Sequence, residues 1–181
     1  LSMSRTSAEL AKYAVNTMLA VRISTINEIA NVSEAYGADI ADVRQAMMSD
    51  SRIGPAYLFP GLGFGSTKDV LTLAELAKNK GLACPVIDGA MATNASQKYL
   101  FAARILKHFD GNLKGKRLAI WGGSFKPRTD DIRNAPSLAI IQRLQEAGAE
   151  IHVFDPVAGA KLAEMLNGTV TVAPKMYAAT K

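Results

Sequence analysis

No glycine or proline interrupts the chain before Gly37. These are the two residues that most often break a helix, so this stretch predicts one helix of about thirty residues, far above the usual length. Thr6-Ser7-Ala8-Glu9 has the form of a capping box, with Thr6 as the N-cap and Glu9 three residues on. The apolar positions Ala11, Ala14, Val15, Met18, Val21, Ile26, Ile29 and Ala30 recur at threes and fours. Leu10, Leu19, Ile23 and Val32 lie outside that stripe. A helix apolar on more than one side needs a second surface to cover it, so a homodimer through residues 6–36 is expected. A polar line runs through Lys12, Asn16, Ser24, Asn27 and Asn31. Lys12 and Asn16 are four apart and share a face; read alone, the line is a solvated face.

Gly37 ends this helix in a left-handed cap. Asp39 then N-caps a short helix to about Met48. After a loop, residues 70–80 read as helix and stop at Gly81. Pro85 opens another helix in its first turn, running to about Phe109. The character changes at Lys114. Arg117–Trp121 reads as a short buried strand followed by Gly122-Gly123, a polar loop and a helix from Pro136 to about Ala147. Glu150–Phe154 is a second strand closed by Asp155-Pro156. A helix near Ala158–Leu166 leads to a third strand at Thr169–Val172. This order predicts an α/β chain: an all-helical first domain (1–113), then a partial Rossmann-like parallel βαβ domain (114–181). The dinucleotide fingerprint Gly-x-Gly-x-x-Gly is not satisfied after the first strand.

Residues 50–69 cannot form a regular element. They hold Gly54, Gly61, Gly63 and Gly65 with Pro55 and Pro60. Tyr57, Leu58, Phe59 and Phe64 are large groups for a loop; Arg52 precedes them, and Lys68 and Asp69 close the stretch. Such a loop suits a planar, anionic ligand: backbone N–H groups for phosphate, an arginine fork, and rings to stack on a base. The plainer reading is a surface loop with structural glycines.

Net charge +5 and pI near 9.4 suit an anionic partner, but no basic run or motif points to nucleic acid. One cysteine, Cys84, permits no intrachain disulfide and fits a reducing compartment. No apolar run spans a membrane, and the cytoplasm is expected. His108 and His152 lack carboxylate or cysteine neighbours at metal spacing, so no metal site is expected and both read as structural. Cys84, before a proline at a helix start, reads as a packed thiol rather than a nucleophile. Asp155 stands where such sheets bind ribose, though an Asp-Pro turn explains it equally well.

Two segments together resemble the UDP-glucose dehydrogenase family of nucleotide-sugar 6-dehydrogenases. The family's substrate loop runs Arg-Ile-Gly, a spacer, then Pro-Gly-x-Gly-(Phe/Tyr)-Gly-Gly-Ser-Cys-x-Pro-Lys-Asp. Here Arg52-Ile53-Gly54 is followed by Pro60-Gly61-Leu62-Gly63-Phe64-Gly65 and Ser66-Thr67-Lys68-Asp69. Ser-Thr replaces Gly-Ser-Cys-x-Pro, so the loop is shorter and the family's nucleophilic cysteine is missing. Phe125-Lys126-Pro127-Arg128-Thr129-Asp130-Asp131-Ile132-Arg133 with Pro136 resembles the family's Phe-Lys-x-x-Thr-Asp-Asp-x-Arg-x-x-Pro signature. Residues 9–16 and 26–28 resemble its central helix.

The resemblance runs from Thr6 to about Lys175. It implies the family's central domain and the first half of its C-terminal domain, without the N-terminal NAD domain. Family enzymes oxidise the C6 alcohol of a nucleotide sugar to a carboxylate with two NAD in succession, through a cysteine thiohemiacetal and thioester. By motif matching, Lys12 would stabilise the oxyanion, Asn16 would hold substrate or water, and Asp69 would be the general base. Arg52, Tyr57, Leu58, Phe59, Gly61, Gly63, Phe64, Phe125 and Lys126 would bind the nucleotide sugar, Arg52 by reaching into the other subunit's site. Lys68 and Arg133 would lie near NAD. UDP-glucose is favoured over GDP-mannose. With the cysteine and the NAD domain missing, this chain alone is expected to be inactive and to bind NAD poorly. The alternative is a non-catalytic dimerisation module that keeps weak nucleotide-sugar binding.

Overall fold

The computed structural model of the chain describes residues 1–65 and 67–180. Ser66, read above as part of the loop's end, and Lys181 lie outside the described residues. The first helix, α1, spans Arg5–Ala35. Its cap is Ser4 rather than Thr6: Ser4 is extended, and its Oγ accepts the Ser7 N–H at 3.2 Å. Serine caps at least as well as threonine, and the helix gains an extra turn's start. Glu9 pairs with Arg5 at 3.1 Å instead of closing a capping box. At the other end Gly37 has φ +70°, and the Gly37 and Ala38 N–H groups reach back to Glu34 O and Ser33 O. That pair of bonds is a Schellman motif.

Helix α2 is Ile40–Ser49, with the Asp39 carboxylate accepting the Ala41 N–H at 2.7 Å. Helix α3 is Thr67–Lys78 and starts three residues ahead of the expected Val70. Asp69 therefore sits in its first turn, at the positive end of the helix dipole. Helix α4 is Pro85–His108. Strands β1 (Arg117–Trp121), β2 (Glu150–Phe154) and β3 (Thr171–Val172) alternate with helices α5 (Pro136–Glu146) and α6 (Gly159–Met165). A 3₁₀ turn, Met176–Ala178, follows.

The chain divides into two compact units, Leu1–Gln97 and Lys98–Lys181, and the division falls inside α4. In the first unit, α1 buries Thr17, Ala20, Ile23, Ser24, Ile26 and Asn27. Ala20, Val70 and Ile87 form a core against which Phe64, Leu73, Ala74, Cys84 and Met91 pack. Ser24 and Asn27 are thus interior, not solvated. The Ser24 hydroxyl donates to the Ala90 carbonyl at 2.8 Å, which ties α1 to α4.

In the second unit, among the described residues, three parallel strands run in the order β1-β2-β3. Leu118 pairs with Ile151 and Ile120 with Val153. Central β2 is buried at Ile151, His152 and Val153. β1 is not the buried strand expected: Arg117, Ala119 and Trp121 are exposed and only Leu118 and Ile120 are half covered. It lies at the sheet's edge, paired on one side only, so its residues alternate. Leu113, Ile141, Leu144 and Leu162 complete this core.

Candidate functional site

The loop at residues 50–65 has no regular structure, yet side chains from the surrounding helices hold its backbone at Ile53, Gly54, Ala56, Leu58, Gly61 and Phe64. Arg22 of α1 donates from its guanidinium to the carbonyls of Ala56 (2.8 Å), Ile53 (2.9 Å) and Gly54 (3.0 Å). Arg44 of α2 donates to the Leu58 carbonyl. Asn27 of α1 accepts the Gly61 N–H at 2.7 Å, and Gln97 of α4 donates to the Gly61 carbonyl at 2.9 Å. Asn94 of α4 takes Phe64 by both ends: its Oδ1 accepts the N–H at 2.7 Å and its Nδ2 donates to the carbonyl at 3.1 Å. Asn27, Asn94 and Gln97 are all buried.

Gly63 shows why a glycine is needed here. Its φ is +96°, and a Cβ would stand 2.2 Å from Asn94 Oδ1. Arg22, Arg44, Asn94 and Gln97 were not among the sequence candidates. The available signal was single polar residues, Arg22 on α1 and Arg44 on α2, and the pair Asn94 and Gln97 three apart on α4, which by itself suggests only solvated faces.

Lys12, Asn16 and Asp69 come together although they are 53 to 57 residues apart in sequence. Lys12 Nζ lies 3.1 Å from Asp69 Oδ1, and Asn16 Nδ2 donates to Asp69 Oδ2 at 2.5 Å. The Lys12 and Asn16 hydrogen bonds, with the charges of Lys12 and Lys68, hold the Asp69 carboxyl below its ordinary range. The Asp69 side chain is 15% exposed and that of Lys12 66%, so the carboxylate is the fixed partner and the ammonium the wet one. Val70, next to Asp69, is fully buried beneath Phe64. Loop and cluster therefore rest on one core.

The remaining loop residues sort by what they face. Tyr57 and Phe59 are exposed, their rings 5.8 Å apart and tilted, with Tyr57 at φ +56°. They offer aromatic surface to a ligand. Leu58 is 2% exposed and Phe64 packs into the core, so their side chains support the loop, and only their backbones border it. Arg52 is exposed but engaged by Asp50, with Nη2–Oδ2 at 2.6 Å. That bond pulls the Asp50 carboxyl down. Lys68 is exposed in the first turn of α3. Among the described residues no group of His, Cys, Asp and Glu has metal-ligand geometry.

The second unit carries Phe125, Lys126 and Arg133 on the loop after β1. Lys126 Nζ lies 5.2 Å from the Phe125 ring centre. Arg133 is held by Asp131 at 2.6 Å and 2.9 Å, and this fork lowers the Asp131 carboxyl to about 2. Lys161 of α6 pairs with Asp130. Asp130, Asp131 and Arg133 line an open cleft of about 710 Å³ with Lys161, Glu164 and Met165. Asp155 is engaged as a turn: its oxygens accept four backbone N–H groups. The ribose reading is not supported. His152 lies 2.8 Å from Glu150 and is buried in β2, a structural placement.

Against known proteins, two family models cover most of the chain. The UDP-glucose/GDP-mannose dehydrogenase family, central domain, matches residues 6–96. The same family's UDP binding domain matches residues 119–181. A UDP-glucose 6-dehydrogenase of Pseudomonas aeruginosa is 41% identical over 90% of this chain and 37% of its own length. The UDP-glucose 6-dehydrogenase TuaD of Bacillus subtilis is 39% identical over 96% of this chain and 38% of its own. The chain thus spans under two fifths of these curated relatives. The solved UDP-glucose dehydrogenase of the hyperthermophilic archaeon Pyrobaculum islandicum superposes with a TM-score of 0.90 at 33% identity, covering 99% of this chain and 42% of that one.

Proposed function

The chain belongs to the UDP-glucose/GDP-mannose dehydrogenase family, and from that premise we propose that it is the substrate-gripping portion of a nucleotide-sugar 6-dehydrogenase, with UDP-glucose the favoured sugar nucleotide. The observation that carries the reading is the Lys12–Asp69–Asn16 cluster standing over the same core as the clamped glycine loop. Tyr57 and Phe59 offer ring faces to a base, and the loop offers a rigid backbone frame to a diphosphate. Asp69 stays ionised at neutral pH and orients a hydroxyl or water. Lys12 supplies positive charge where a C6 oxygen would become negative.

The residues present do not supply a covalent step. Thr67 stands where the loop reaches α3, and Cys84 is packed against the Ala20–Val70–Ile87 core, away from the role of a thiolate nucleophile. Nor do they fit a dinucleotide. Arg133 is forked to Asp131, and the glycine-turn N–H groups after β1 are taken by Asp155. Binding is tested by ¹⁵N NMR titration with UDP, UDP-glucose and GDP-mannose. Shifts at Tyr57, Phe59 and Gly61 that saturate in the millimolar range, about −4 kcal/mol, and favour the uridine ligands are expected. Equal responses to all three, or none near the loop, would sink the reading.

A second reading, a dimerisation module, has its own support. Leu10, Val15, Met18 and Val32 are exposed on α1, and so is Tyr36 at its C-cap. The helical period sets them on one side, away from buried Ala20, Ser24 and Asn27. The two readings are compatible, since a dimer would carry two such loops.

A further inference from the structure

Open α/β sheets bind phosphate at the carboxyl end of their first strand, where a glycine turn turns its backbone N–H groups toward the ligand. The second unit has that turn at Gly122–Ser124, directly after β1, but its donors are engaged internally. Gly123 N–H donates to Asp155 Oδ2 at 2.8 Å and Ser124 N–H to the same oxygen at 3.3 Å. The other carboxylate oxygen accepts Val157 N–H at 2.8 Å and Ala158 N–H at 2.7 Å. A carboxylate has about four acceptor positions, and here four donors fill them. The turn is closed from its other sides as well. Ser137 Oγ, at the start of α5, donates to the Gly123 carbonyl at 2.6 Å. A Cβ on Gly123 would lie 1.9 Å from Leu162 Cδ1 of α6.

We propose that Asp155 is a built-in anion that fills the phosphate seat of this turn, so that the second unit rejects the pyrophosphate of a dinucleotide there. The same bonds fix the base from which Phe125 and Lys126 emerge, which makes Asp155 a positioning residue for that loop. The inference goes beyond the nucleotide-sugar reading and stands whether or not a sugar nucleotide binds. Electrostatics agree with the geometry: burial raises the Asp155 carboxyl, and the four N–H groups outweigh it and bring it below the ordinary value.

The test is made on the ¹⁵N-labelled 181-residue chain. In the unaltered protein, inorganic pyrophosphate, ADP and NAD should leave the Gly123 and Ser124 amide signals in place. In Asp155→Gly the seat is vacated, so pyrophosphate should move both signals and bind at least about tenfold more tightly than to the unaltered chain. Formate or phosphate should restore the lost thermal midpoint, whereas chloride at equal ionic strength should not. Saturable movement of Gly123 and Ser124 by pyrophosphate in the unaltered chain would overturn the proposal. So would a folded Asp155→Gly with no anion-specific rescue. If that variant does not fold, acid titration of the unaltered chain decides. The Gly123, Ser124, Val157 and Ala158 amides should then shift together with one midpoint, and independent titration would refute a shared anion.

Discussion

Asn94 is the residue on which the loop's geometry turns most visibly. It is 3% exposed and satisfies both backbone groups of Phe64. Removing it leaves a half-buried N–H and C=O without their partner, at about 1 kcal/mol. Asn94→Ala should therefore lower the denaturation free energy by about that amount and speed amide exchange at Phe64, with the helix content by circular dichroism unchanged. A loss below about 0.5 kcal/mol would mean the loop holds itself. Asp131 gives a second expectation at this scale. Arg133's fork brings its carboxyl from the ordinary 3.8 to about 2. Because the folded value is the lower one, the stabilisation is whole above 3.8 and is lost as pH falls toward 2. A carboxyl-carbon NMR titration should place the Asp131 midpoint near 2, and Arg133→Ala should return it toward 3.8. Lys12, Asn16 and Asp69 were reachable only through the family resemblance, since spacing alone reads Lys12 and Asn16 as a solvated face. The sequence did not announce Asn94, because an asparagine on a helix looks the same whether it faces water or a loop backbone.

At the scale of elements, the periodicities were legible and the ends were less so. The span free of glycine and proline did become α1, but Ser4 caps it where Thr6 was expected, since hydroxyl residues two positions apart compete for one role. α3 begins at Thr67 because Asp69 is favoured in the first turn. β1 was read as buried from composition alone, since five-residue apolar strands give no sign of whether they will lie at an edge. α1's exposed apolar side makes its own prediction. Val15 and Met18 are 58% and 62% exposed on adjacent turns. At about 25 cal/mol per Å², covering such a face in a dimer outweighs any surface ion pair. Light scattering should find a dimer at tens of micromolar, and Val15→Asp with Met18→Asp should give monomers or insoluble protein. A stable monomer of the unaltered chain would refute the interface.

For the whole molecule, the proposed reading separates what the chain grips from what it transforms. The Lys12–Asp69–Asn16 cluster and the clamped loop are assembled, while the cysteine of the family loop is replaced by Ser66-Thr67. NADH production from UDP-glucose by the pure 181-residue chain should accordingly stay at background, and clear turnover would contradict the proposed division. The βαβ pattern and the two parallel pairings were legible because strand, turn and helix signals alternate at short spacing. That Asp155 would fill its own sheet's anion seat was not, because an Asp-Pro after a strand suits a turn and a ribose contact alike.

The helices grip the 50–65 loop almost wholly by its carbonyls and amides, seldom by its side chains. A scaffold that reads only main chain is indifferent to which residues the loop displays. Exposed positions such as Tyr57 and Phe59 can then be exchanged without loosening the frame, while Gly63 cannot. The loop is thus a changeable surface on a fixed mount: on the proposed reading, selectivity among sugar nucleotides would vary through its displayed rings while Arg22, Asn27, Asn94 and Gln97 stay as they are.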